Sequence, residues 1–206
     1  MKNYHIAHDW EKFESYRIAK IKGLRTGFKK IDASILGLPN LTVIQGEPKC
    51  FKSTFVLNIA INRAKKGTPI LLIDKENGLQ RTRIRALSYL GKMTDKQLRQ
   101  YEINPELEDK YGKTLKKLTE LPFYYINHSI DQEVITGILQ SLWKKYNKKV
   151  LLLVDSLQGL TTVGQGDRRA GIDEWLYYFR DLKLEYPWLT SILVSEKNRA
   201  SYGGAA

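Results

Sequence analysis

Gly46-Glu-Pro-Lys-Cys-Phe-Lys52-Ser53-Thr54 decides the fold of this chain. An apolar, strand-like run precedes it, Leu41-Thr-Val-Ile-Gln45, and a helix-like run follows, Phe55-Val-Leu-Asn-Ile-Ala-Ile-Asn-Arg-Ala64. Strand, tight loop, Lys-Ser and helix is the arrangement that holds nucleotide phosphates. Backbone N–H groups curl around the anion and a helix N-terminus points at it. The stretch Gly46, Glu47, Pro48, Lys49, Cys50, Phe51, Lys52, Ser53 and Thr54 is therefore the expected phosphate cradle. Lys52 would place its charge on the outer phosphates, and Ser53 a hydroxyl on Mg²⁺. One position breaks the usual G-x-x-x-x-G-K-S/T pattern: Phe51 stands at the second glycine. Glycine there permits close backbone approach and an unrestricted φ. A phenylalanine is expected to fit only with negative φ and its ring turned away from the phosphates.

Working outward, the apolar runs recur. Strands are expected at 41–45, 69–74, 122–126, 149–155 and 189–195, with helical patterns at 53–66, 79–91, 94–119 with breaks, 131–146 and 168–186. The strand runs are continuously apolar rather than alternating, which suits a parallel sheet buried on both faces. Such a sheet, flanked by helices, gathers ligands at the C-terminal edge of its strands. Residues 1–22 are polar and aromatic, with Trp10, Phe13 and Tyr16 at helical spacing. They read as a helical extension or linker, packing either on its own domain or on a neighbouring subunit. The nucleotide-loop core then occupies 23–206. The Gly-rich stop Tyr202-Gly-Gly-Ala-Ala206 reads as a loop, leaving open a fragment of a longer protein or a core with a frayed tail.

Composition narrows the class. A chain of 206 residues with 42% apolar content is most simply one α/β domain. No apolar run approaches the roughly 20 residues of a membrane span, and Met1-Lys-Asn-Tyr-His-Ile-Ala-His-Asp-Trp10 has no signal-peptide core. The single cysteine, Cys50, excludes an intrachain disulfide framework and fits a reducing, cytoplasmic setting. Net charge of +12 favours a polyanionic partner such as DNA or RNA. The basic residues are dispersed, and the local group Lys144, Lys145, Lys148 and Lys149 reads first as a solvated helix end. Tyr124, Tyr125, Tyr177, Tyr178 and Phe179 lie in core-like segments and are expected to pack.

Further polar groups fall at strand ends. Asp155 closes Val150-Leu-Leu-Leu-Val154, where a carboxylate beside a phosphate loop supports Mg²⁺. Glu76, with Asp74 as its local competitor, follows the 69–74 strand and is placed to orient an attacking water, if that strand lies beside the loop strand. Asn77-Gly78 reads as a turn. Arg81 and Arg85 share a helix face, Arg83 does not, and Arg85 is a candidate to stack on a nucleotide base. Glu196, in Ser195-Glu-Lys-Asn-Arg199 after the last strand, reads equally as a sensor of the terminal phosphate or as part of an ordinary solvated turn.

Together these landmarks resemble the RecA-like ATPase core of DnaB-type hexameric replicative helicases. Gly23-Leu-Arg-Thr-Gly-Phe-Lys-Lys-Ile-Asp32 is similar to that family's opening G-x-x-T-G-F-x-x-L-D, and Leu36-Gly37-Leu38 loosely to its GGL turn. Asn58-Ile-Ala-Ile-Asn62 resembles N-I-A-L-N, Val154-Asp-Ser-Leu-Gln158 resembles D-Y-L-Q, and Val194-Ser-Glu-Lys-Asn-Arg199 resembles L-S-Q-L-N-R. Pro48-Lys-Cys-Phe-Lys-Ser53 is similar to the variant loop of UvsX-type phage recombinases and plasmid RecA-like ATPases. The resemblance implies ATP and Mg²⁺ as ligands, Lys52 and Ser53 on phosphates and metal, Glu76 as the catalytic carboxylate, Arg85 at the base and Asp155 behind the metal. It also implies DNA, single-stranded by preference, as partner, and a homo-oligomer, a hexameric ring. Glu196 stands where the family has glutamine, and would repel a phosphate unless paired. The family's arginine finger and much of its DNA-binding loop fall past residue 206, so the chain is expected to bind nucleotide better than it hydrolyses it. Two alternatives stay open: a RecA/RadA-like recombinase or mediator forming filaments on single strands, and a decayed module that binds nucleic acid or a partner without turnover.

Overall fold

Each of the five apolar runs forms a strand, and all five join one sheet. The computed structural model describes residues 23–35, 37–100, 104–160 and 168–197, with Glu11 and Glu14 before them as helical positions. The packing of Trp10, Phe13 and Tyr16 and the stretch from Asn198 onward lie outside the described residues, as does Leu36. In chain order the elements are α1 (Lys29–Ile35), β1 (Leu41–Gly46), α2 (Lys52–Ala64), β2 (Ile70–Asp74), α3 (Leu79–Gly91), α4 (Asp95–Arg99), α5 (Pro105–Thr119), β3 (Phe123–Ile126), α6 (Gln132–Tyr146), β4 (Val150–Asp155), α7 (Arg168–Glu185) and β5 (Leu189–Glu196). The sheet order is β1-β5-β4-β2-β3, and every pairing is parallel.

Side-chain alternation along the strands divides the core in two. Leu151 and Leu153 of β4 and Ile192 and Val194 of β5 face α2 and α3, where they meet Val56, Ile59, Ala60 and Ala86. Val150, Leu152 and Val154 point the other way, onto Ile135 and Leu139 of α6 and Phe179 and Leu182 of α7. Both faces are covered, which is why the strands read as unbroken apolar runs. Burying each such leucine or isoleucine contributes about 1.5–3 kcal/mol. Phe179 is fully buried, as expected of a core residue, whereas Tyr177 is 59% exposed and carries the Arg180 guanidinium 5.0 Å from its ring centroid. Tyr177 therefore departs from the expected packing role: on α7 it points to solvent while Phe179 faces the sheet.

The opening motif is a structural tie. The Asp32 carboxylate accepts hydrogen bonds from the Thr26 N–H at 2.6 Å, the Thr26 hydroxyl at 2.8 Å and the Gly27 N–H at 3.0 Å. Gly27 has φ +85°, and a Cβ there would lie 2.6 Å from the Cβ of Asn62. Asn62 in turn accepts from the Tyr89 hydroxyl at 2.9 Å. The motif residues thus lock the segment before β1 onto α2 and α3, and Phe28 stacks on Phe55 with centroids 5.6 Å apart.

Candidate functional site

Strand register sets the site. Gly46 lies opposite Glu196 between β1 and β5, and Asp74 opposite Asp155 between β2 and β4. The candidate groups therefore line one rim of the sheet, the C-terminal one. In one respect the arrangement differs from expectation. β2 does not lie beside β1, because β5 and β4 intervene, putting three strand spacings, roughly 14 Å, between them. Glu76 nevertheless reaches the loop, because the segment after β2 folds back across the rim.

A cleft of about 360 Å³ is lined by Pro48, Lys49, Cys50, Phe51, Lys52, Ser53, Thr54, Glu76, Asn77, Arg81, Arg85 and Glu196. That volume falls in the range of small-molecule sites. Arg81 and Arg85 face the cleft together, while Arg83 lines a groove between α3 and α5 instead. Gly46 and Glu47 are not among the residues lining the cleft. A Cβ on Gly46 would come within 2.9 Å of the Cys50 sulfur, so the loop closes over a position without a side chain.

Phe51 overturns one expectation. Its φ is +64° and ψ 18°, the left-handed region, as is φ +64° at Lys49. The ring does point outward, with 78% of the residue exposed. The backbone therefore keeps the conformation that glycine usually supplies here, and phenylalanine bears its steric cost. Phe51→Gly is expected to leave stability within about 1 kcal/mol of the parent, since relief of that strain offsets the added freedom of the unfolded chain. Phe51→Ile is expected to destabilise by about 1–3 kcal/mol, because a β-branched side chain resists positive φ. Chemical denaturation of both variants checks the pair.

The N-cap residue of α2, Phe51, makes no side-chain capping hydrogen bond, leaving the first amides for another acceptor. Lys52 is 8% exposed, and its ammonium donates to the carbonyls of Gly46 at 3.0 Å and Glu47 at 2.6 Å. It lies 3.8 Å from the Glu196 carboxylate and 3.8 Å from the Cys50 sulfur. Glu196 thus has the cationic neighbour that a carboxylate beside a phosphate requires. The Gln158 side-chain amide donates to the Ser195 hydroxyl at 2.9 Å and to the Glu196 carbonyl at 3.2 Å, fixing the end of β5 to the turn after β4.

The two aspartates differ in kind. Asp74 is 2% exposed, and its carboxylate accepts from the N–H groups of Glu76 at 3.0 Å and Asn77 at 2.8 Å, from Thr82 at 2.9 Å and from Tyr125 at 3.2 Å. Burial, the Asp74 charge and this hydrogen bond push the Tyr125 phenol up to about 12. Asp155 accepts at Oδ2 from the Asn77 amide at 3.0 Å, but its buried Oδ1 has no hydrogen-bond partner among the described residues. Burial, opposed by Ser53 and reinforced by the charges of Glu76 and Asp74, raises the Asp155 carboxyl to about 6. A buried carboxylate oxygen without a donor is costly. With the Ser53 hydroxyl lining the same small recess, it fits a hard, oxygen-seeking cation such as Mg²⁺.

Sequence reasoning missed Asn77 and Ser156. Asn77 reads as half of a turn, yet its side chain bonds Asp155 and accepts from Arg85 at 2.8 Å, joining β2, β4 and α3. Buried Ser156 donates its hydroxyl proton to the Glu76 carboxylate. Both were visible only as polar residues just past strand ends.

The family model of the DnaB-like helicase C-terminal domain matches residues 23–197. A probable replicative DNA helicase of Trieres chinensis is 30% identical over 142 residues, 67% of this chain and 31% of that protein. The replicative DNA helicase DnaB of Buchnera aphidicola subsp. Baizongia pistaciae is 27% identical over 188 residues, 87% of this chain and 40% of its own length. The chain thus spans well under half the length of these relatives. Among solved structures, one described as an ATPase domain superposes with TM-score 0.79 at 20% identity, covering 94% of this chain and 70% of that one. A DnaB-like replicative helicase described with its interactions with primase gives TM-score 0.81 at 19% identity over 96% of this chain and 48% of the other. At those identities the superpositions speak for the fold, which is RecA-like. The family match runs through the loop, the carboxylates and the end of β5 alike, and on it this chain belongs to the DnaB-like helicase C-terminal domain family.

Proposed function

We propose that this domain binds ATP with Mg²⁺ in the rim cleft and hydrolyses it to drive movement along DNA, single strands by preference, within a ring of identical subunits in the cytoplasm. The observation that carries this reading is that Lys52, Ser53 and Glu76 line the rim cleft while the unpartnered Asp155 oxygen lies on an adjoining small recess that shares Ser53, Asn77 and Arg85 with it, at the N-terminus of α2. Lys52 leaves its carbonyl partners for the outer phosphates, and the loop and α2 amides take the remaining oxygens. Ser53 and Asp155 would hold Mg²⁺, which would supply positive charge to offset that on the transferred phosphoryl group. Glu76, oriented by Ser156, positions the attacking water and accepts its proton. Asp74 is occupied by five donors and serves as the brace of the segment carrying Glu76. Arg85, steadied by Asn77, lies along the cleft toward the base, and Glu196 exchanges Lys52 for the state of the terminal phosphate. An arginine from the neighbouring subunit completes the site, a contribution worth roughly 10³–10⁵ in rate where such fingers occur.

Cys50 supplies a direct test, since it is the sole cysteine, exposed, and on the cleft wall. Mg-ATP at ten times its dissociation constant should slow alkylation of Cys50 by about tenfold, by mass action. Alkylation at an unchanged rate would place the nucleotide elsewhere. Electron microscopy with ATP and DNA should then show rings; filaments would favour the recombinase class.

A further inference from the structure

Two carboxylates line the rim cleft, Glu76 and Glu196, among the cations Lys49, Lys52, Arg81 and Arg85. Glu76 accepts from the Ser156 hydroxyl. Glu196 instead faces Lys52, with Oε1 3.8 Å from the ammonium. An ammonium carries three donors, and Lys52 gives two of them to the Gly46 and Glu47 carbonyls. At 3.8 Å the Glu196 contact is a pairing of charges rather than a hydrogen bond. The Glu196 side chain is partly exposed, and such a pair contributes little to stability. What the carboxylate does change is the potential at the outer end of the loop, where Lys52 would meet an anion.

The Glu196 backbone is pinned in that place. Its N–H donates to the Gln158 side-chain oxygen at 3.4 Å, and its carbonyl accepts from the Gln158 amide at 3.2 Å. The next residue, Lys197, donates its N–H to the Gly46 carbonyl at 3.2 Å. That same carbonyl accepts from the Lys52 ammonium. The loop lysine and the end of β5 therefore share one anchor on β1. Glu196 is held from the turn after β4 on one side and from β1 on the other, and its side-chain torsions alone are left to carry the carboxylate away.

We propose, resting on the nucleotide reading of the cleft, that Glu196 sets which nucleotide the cleft favours: it occupies the Lys52 charge in the empty site and disfavours a nucleoside triphosphate relative to the diphosphate. In a phosphate loop the lysine reaches the β- and γ-phosphates. A carboxylate 3.8 Å from its ammonium therefore stands at the γ end of the chain rather than the α end. A diphosphate ends short of that point and meets Lys52 with Glu196 still beside it. A triphosphate sets one more charged phosphate against the carboxylate and draws Lys52 away from it. Like charges about 5 Å apart near a protein surface cost between a few-fold and a few-hundred-fold in affinity. Solvent and salt screen a partly exposed carboxylate, which puts the effect near the lower end, about tenfold. The domain on its own thus holds the diphosphate at least as well as it takes up the triphosphate.

The test uses the full chain and follows protection of Cys50 from alkylation, titrated with Mg-ADP and with Mg-ATP. The parent should bind the triphosphate no more tightly than the diphosphate. Glu196→Gln keeps the length of the side chain and removes its charge. It should raise affinity for the triphosphate about tenfold and leave that for the diphosphate within about twofold. Glu196→Asp keeps the charge and should keep the parent's ratio. Raising salt from about 0.05 to about 0.5 M should shrink the triphosphate preference of Glu196→Gln, because the preference is one of charge and not of shape. Glu196→Gln shifting both nucleotides equally, or neither, would overturn the role of Glu196 and leave the nucleotide site standing. So would a parent that already prefers the triphosphate tenfold, or loss of discrimination in Glu196→Asp to the same extent as in Glu196→Gln. Protection of the parent by neither nucleotide would remove the nucleotide site itself, and this role of Glu196 with it.

Discussion

Lys52→Ala is expected to abolish nucleotide binding, and with it any hydrolysis. Lys52 is 8% exposed, and its ammonium is shared among two loop carbonyls and Glu196. Its replacement removes the buried loop cation beside Glu196 and leaves that carboxylate facing an incoming phosphate. Truncating one partner of a buried charged contact costs about 2–5 kcal/mol, which is a loss of tens-fold to thousands-fold in affinity. Isothermal titration of Mg-ATP against both proteins checks this. The variant also strips donors from the Gly46 and Glu47 carbonyls, so some stability is lost as well. Lys52→Arg separates the two effects: it keeps a cation for the carbonyls but changes its reach and shape. Folded Lys52→Ala protein that binds Mg-ATP as the parent does would remove this loop from the site.

Asp155→Asn is expected to act in opposite directions on stability and on ligand binding. The Asp155 carboxyl titrates near 6 in the fold, against 3.8 when unperturbed, chiefly because burial disfavours its charge. The folded state thus prefers the protonated form. The charged form burdens the protein fully above about pH 6, and the burden vanishes below about 3.8. Asparagine removes it, so at pH 7.5 the variant should be more stable by about 1–3 kcal/mol. The advantage should shrink as pH falls through this window, which thermal melts at pH 7.5 and pH 5 would show. Mg²⁺ needs the carboxylate. Metal-dependent nucleotide binding by the parent should therefore weaken below about pH 6, by at most tenfold per pH unit for one competing proton. The variant should lose the metal dependence at every pH. A variant less stable than the parent at pH 7.5 that still binds Mg-ATP tightly would contradict both the strain and its purpose.

Much of the architecture was legible because its causes are local. The α3 boundaries at Leu79 and Gly91 coincide with the expected 79–91, since the apolar period and the Asn77-Gly78 turn both act within a few residues. The expected break in 94–119 falls at Gln100, the end of α4, and α5 starts behind the Asn104 cap with Pro105 in its first turn. Helix α1 was not anticipated, because it is only seven residues long and buries none of them. The positive φ of Phe51 was misjudged from the side chain: the loop closing around Lys52 sets the backbone, and the outward ring does not resist it. The phosphate-loop residues, Glu76, Asp155 and Glu196 were legible as polar groups at strand ends. Asn77 and Ser156 were not singled out, since nothing in the sequence says which polar turn residue will meet which carboxylate.

By itself the sequence determined the element types, the parallel sheet and the tight loop between β1 and α2, because these follow from periodicity, burial of strand runs and the chemistry of a few adjacent residues. Only the tertiary structure decided the order β1-β5-β4-β2-β3 and the pairing of Lys52 with Glu196. The reason is one of range. Propensity and pattern act over a handful of positions, whereas strand order and the meeting of charges far apart in the chain are fixed by which apolar faces bury each other best, a choice made over the whole core at once.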